Sequence, residues 1–70
     1  MNKNNGNKKM IKEALRVKLQ GEIESHKTNL RTFLAEPKGV AEHIDFVETA
    51  EKELEKLAHA KDKLEALDDL

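Results

Sequence analysis

Three histidines, His26, His43 and His59, are the residues in this 70-residue sequence most able to bind a metal or move a proton. His59 follows Glu55 by four positions, so on a helix the two share a face, as paired metal ligands often do. Two ligands make an incomplete site, and a solvated contact between neighbours on one helix is the better account of the pair. Ser25 and Thr28 stand close to His26. Neighbours on a single helix do not supply the converging base, orienting group and oxyanion donors that nucleophilic catalysis needs. The chain has no cysteine, which removes thiolate ligands and nucleophiles. It also lacks a glycine-rich phosphate loop. The reading is a non-enzymatic protein with no catalytic, cofactor-binding or metal-binding residues.

The elements that would carry these side chains are helices. Charged residues make up 39% and hydrophobic residues 37% of the chain, aromatic residues only 3%, and Ala, Glu, Lys and Leu recur throughout. That is the composition of long helices and coiled coils. Residues 1–7, polar and rich in asparagine, read as a disordered tail ending in an Asn7 helix cap. Helix 1 is expected over 8–35. Leu15, Leu19, Ile23, His26, Leu30, Phe33 and Leu34 share one face at about 100° per residue, with Ile11 at its margin. From Leu19 the spacing is 4, 3, 4, 3, a coiled-coil seam. Met10, Ala14 and Val17 form a second apolar strip on nearly the opposite side.

Pro37 and Gly39 mark a break over 36–41. Helix 2 is expected over 42–69. Two starts compete: one near Val40, and one at Phe46, where Asp45 and Glu48 form a capping-box variant. Its seam runs His43, Val47, Ala50, Leu54, Leu57, Lys61, Leu64 and Asp68, with Phe46, Ala60 and Leu67 flanking. Polar residues at Lys61 and Asp68 either set register or partner choice, or mark a stripe that drifts or frays over the last two turns.

Two helices of similar length joined by a short break make an antiparallel hairpin, a single all-α domain over 8–70. Folding at the break sets Leu30 near Ala50, Ile23 near Leu57 and Leu15 near Leu64. One neighbouring helix leaves each apolar stripe half covered, so a homodimeric four-helix bundle is expected. Its self-association surface would draw on Leu15, Leu19, Ile23, His26, Leu30, Phe33, Val47, Leu54, Leu57 and Leu64. A histidine buried there is favoured in its neutral form, and its protonation would place a charge in the seam and make assembly sensitive to pH.

Residues 1–20 carry Lys3, Lys8, Lys9, Lys12, Arg16 and Lys18 against Glu13, a sum of +5. Residues 41–70 carry ten acids against Lys52, Lys56, Lys61 and Lys63, a sum of −6. In an antiparallel hairpin the basic start lies beside the acidic end and the fields largely cancel. A nucleic-acid patch on the front of helix 1 is therefore the weaker reading, and no aromatic stacking residue accompanies it. A second alternative is a bundle that binds a small anionic or nucleotide-like ligand between protomers through Arg16, Lys18, His26 and Arg31. The leading expectation is a protein–protein interaction module. Its contacts with another protein would lie at the hairpin tip, through Lys38, His43 and Asp45 with Arg16, Lys18 and Arg31 as further candidates, or along the Met10, Ala14 and Val17 strip. No apolar run approaches the ~18 residues of a membrane span, and a cytoplasmic location follows as the expectation (host cytoplasm for a viral chain). In size and architecture the chain resembles short accessory open reading frames, bacteriophage ones included.

Overall fold

The structure, a computed structural model, describes the backbone of residues 2–35 and 43–70 and the side chains of residues 6–35 and 45–70. The expected Pro37–Gly39 break, the Val40 start and Lys38 lie outside the described residues, as does the side chain of His43. Two helices account for nearly everything described: α1, Asn2–Ala35, and α2, His43–Asp68. They pack antiparallel as a hairpin, a rod of 61 × 15 × 13 Å.

Helix α1 does not wait for the Asn7 cap. It runs unbroken from Asn2, where a disordered tail over 1–7 is expected from composition. No proline interrupts that stretch, and Asn and Gly are weak helix formers whose cost of about 1 kcal/mol or less per residue does not forbid helix. Helix α2 is already helical at His43, so Asp45 is a first-turn residue and not a cap before Phe46. Its charge there complements the helix macrodipole, and its carbonyl oxygen accepts a 2.9 Å bond from the Thr49 hydroxyl. At the other end α2 tightens: Asp69 N–H donates to Ala66 O at 3.2 Å and Leu70 N–H to Leu67 O at 3.1 Å. Such i→i+3 bonds satisfy carbonyls that would otherwise be orphaned.

The seam of α1 follows the expected repeat. Leu19 and Ile23 are buried, and His26, Leu30 and Phe33 are half-buried. Continued backwards, the repeat passes through Arg16 and Lys12, both half-buried. Leu15 lies beside this line and Leu34 is largely exposed.

The seam of α2 differs from the expected one. Its inward line is Phe46, Ala50, Glu53, Leu57, Ala60, Leu64 and Leu67, with Ala60 2% exposed and Glu53 and Leu67 also buried. Val47 and Leu54 are 61% and 54% exposed, and Lys61 and Asp68 are exposed too. Ala50, Leu57 and Leu64 belong to both lines. The helix is thus rotated by part of a turn toward Phe46, Glu53, Ala60 and Leu67. This orientation buries one charged group, Glu53, and leaves Lys61 and Asp68 in water, where the alternative would bury two.

Near the bend, Phe33 and Phe46 close the seam edge to face, with ring centroids 5.2 Å apart and planes at 79°, a favoured aromatic geometry. At the open end, Leu15 lines a groove with Leu67 and Leu70, about one turn beyond the expected Leu64.

Candidate functional site

The seam carries one polar cluster. Glu53 Oε2 lies 2.5 Å from His26 Nδ1 and accepts a 2.8 Å hydrogen bond from Asn29 Nδ2. His26 and Asn29 sit three apart on α1, so their side chains project from adjacent positions on one face and converge on a single carboxylate. The hydrogen bond from Asn29, and then that from His26, hold the Glu53 carboxyl below the ordinary carboxylate range, against the upward push of burial. Among the described residues no buried side-chain nitrogen or oxygen lacks a partner. A satisfied cluster of this kind fixes the register of two helices, because a shift by one turn would strand a carboxylate in an apolar seam. As chemistry, it is an imidazole oriented by a carboxylate. Ser25 and Thr28 beside it are exposed.

A second polar contact closes the open end. Arg16 is ion-paired with Asp68 across the hairpin and with Glu13 on its own helix, at 3.5 Å. Asp68 is the principal cause of the raised Arg16 pKa, through its hydrogen bond and then its charge, so the guanidinium stays charged. Lys18 is paired with Glu22, and this bond lowers the Glu22 carboxyl. Three of the four residues considered for an anionic ligand, Arg16, Lys18 and His26, are thus engaged with carboxylates of the chain itself. Arg31, the fourth, is exposed on another part of α1.

The residues expected to mediate self-association divide into two sets. Leu19, Ile23, His26, Leu30, Phe33, Leu57 and Leu64 line the intramolecular seam. Leu15, Val47 and Leu54 remain exposed and available. Met10 and Val17 are exposed too, 70% and 60%, as are Ile11 and Leu70. Among the expected tip contacts, Asp45 is exposed, while Lys38 and the His43 side chain fall outside the described residues. His59 and Glu55 are both exposed on α2. Among the described residues no three His, Cys, Asp or Glu side chains are grouped to hold a metal ion, and no helix is long and apolar enough to cross a membrane.

Glu53 is the functional candidate that the sequence reading missed. The signal was present: the line Phe46, Ala50, Glu53, Leu57, Ala60, Leu64, Leu67 keeps the 4, 3 spacing with a single polar interruption. It also places an acid opposite His26.

An apolar concavity lies at the open end. Leu15, Leu19, Ala66, Leu67 and Leu70, with Lys18, Glu22 and Lys63, line a groove of about 500 Å³. It continues into a second hollow of about 440 Å³ lined by Lys8, Ile11, Lys12, Leu15, Leu67 and Leu70. No family model, curated protein or solved structure matches this chain.

Proposed function

We propose that this chain is a non-enzymatic interaction module, a helical hairpin that associates with a second copy of itself through apolar surface left uncovered by its own fold. One observation carries the reading. The hairpin buries Leu19, Ile23, Ala60 and Leu67, while Met10, Ile11, Leu15, Val17, Leu34, Val47, Leu54 and Leu70 stay exposed. Among the described residues as many large apolar side chains face water as line the seam, and exposed apolar surface on this scale marks interaction sites. Two-helix packing shields each stripe from one side only, and a four-helix arrangement is the ordinary solution. The polar cluster supports a specificity role: His26, Asn29 and Glu53 spend seam positions on register, as in helical assemblies whose partners must align.

The test is molar mass by light scattering over a concentration series, with circular dichroism on the same samples. A helical species that gains mass with concentration supports self-association. A helical monomer throughout the series refutes it.

A further inference from the structure

The lysine-rimmed groove at the open end and the outer surface of α2 near the bend are chemically complementary. The groove floor is Leu15, Leu67 and Leu70, extended by Ile11. Lys8, Lys12, Lys18 and Lys63 surround it, and the single acid on its rim, Glu22, is already paired with Lys18. A ligand for this groove therefore needs an apolar crest flanked by negative charge.

Helix α2 has that crest. Val47 and Leu54, seven residues apart, line up on one side of the helix two turns from each other. Leu54 shares its surface with Glu48, Glu51, Glu55 and Ala58, and Lys52 is the one cation among them. The ridge is exposed, acidic and helical, the reverse of the groove in charge. A chain cannot seat its own ridge: Leu54 and Leu67 lie on the same rigid helix, about 20 Å apart at ~1.5 Å per residue.

We infer that the α2 ridge of one copy, with Val47 and Leu54 at its crest and Glu48, Glu51 and Glu55 beside them, docks into the Leu15–Leu67–Leu70 groove of a second copy, against Lys8, Lys12 and Lys63. The inference rests on the self-association proposed above and specifies its geometry. Ridge and groove are different patches, so two copies about a two-fold axis can exchange both contacts and close as a dimer, whereas copies joined head to tail leave one ridge and one groove free. In both arrangements association grows with concentration and weakens with salt because its rim is charged.

The experiment uses three variants at exposed positions. Leu15→Ser with Leu70→Ser disables the groove, Val47→Ser with Leu54→Ser disables the ridge, and Lys63→Glu reverses one rim charge. Circular dichroism confirms that each keeps its helicity. Sedimentation of the wild type should show concentration-dependent association that weakens between low and high salt. Each double variant alone should stay monomeric. An equimolar mixture of the two should form a dimer and stop there, since only one working ridge and one working groove remain. Lys63→Glu should raise the dissociation constant on the order of tenfold, about 1.4 kcal/mol. Variants that assemble like the wild type, or a mixture that stays monomeric, would overturn the docking while leaving self-association intact. A wild type that is monomeric throughout overturns both. A monomeric wild type that binds phosphatidylglycerol vesicles through the same lysines also overturns the docking and gives the groove to an anionic lipid surface.

Discussion

His26 on α1 and Glu53 on α2 meet across the hairpin seam at 2.5 Å, and Asn29 donates to the same carboxylate oxygen at 2.8 Å. This is the one place where the described apolar seam is interrupted from both helices at once, and each interruption satisfies the other. Removing one partner therefore costs more than removing both. Glu53→Ala should lower the melting temperature more than any exposed acid-to-alanine change, because it leaves the half-buried His26 unpaired in the seam. Replacing His26, Asn29 and Glu53 together by leucine should recover much of that loss while relaxing register. A double-mutant cycle on His26 and Glu53 measures the coupling. Strict additivity would remove the cluster from the account of register.

The same carboxylate predicts an acid limb. The Glu53 carboxyl is lowered in the folded chain relative to its ordinary value near 4.5. In the window below that value the unfolded chain binds more protons than the folded one, so stability rises with pH there. The contribution is fully present above the unfolded pKa and is lost as pH falls through the folded one. Urea midpoints between pH 7 and pH 2 should fall more steeply for the wild type than for Glu53→Gln. Parallel curves would mean that other acids carry the transition.

The rotation of α2 separates residues that the helical repeat alone treats as equivalent. Leu67 is buried and Leu54 is exposed. Leu67→Ala should destabilise the hairpin by roughly 2 kcal/mol or more, the low end of the range for buried leucine. Leu54→Ala should change the stability of the monomer by no more than about 0.5 kcal/mol, as surface substitutions do. Thermal melts at a concentration below self-association make the comparison. The opposite order would restore the Val47, Leu54, Lys61, Asp68 seam.

Gly21 sits in the middle of α1 with nothing within 4 Å of where a Cβ would stand. Gly21→Ala should raise stability by about 1 kcal/mol through helix propensity alone. A loss instead would show that this face of α1 is covered by another molecule in solution.

The determinants legible in the sequence were those that a single helix carries. Leu19, Ile23, His26, Leu30 and Phe33 repeat at 4 and 3, and that spacing alone turns them to one side whatever lies opposite. Phe33 and Phe46 flank the break closely enough in sequence that an antiparallel fold sets them at the same level of the rod. The start of α1 was less legible, because composition argues against order at the tail while only a proline would have forbidden it.

What the tertiary structure alone decided was which way α2 faces. Ala50, Leu57 and Leu64 fit two overlapping lines, one through Val47 and Leu54 and one through Phe46, Glu53, Ala60 and Leu67. The second trades Val47 and Leu54 for Phe46, Ala60 and Leu67 and carries one charged residue where the first carries Lys61 and Asp68, so hydrophobicity favours it. What makes its glutamate tolerable is the opposing helix. His26 and Asn29 offer donors at the level of Glu53, and Phe33 offers a ring to Phe46. A one-dimensional repeat records which residues share a face. Whether a carboxylate belongs in the seam depends on a partner 24 to 27 residues away along the chain, and only the folded hairpin sets that partner in place.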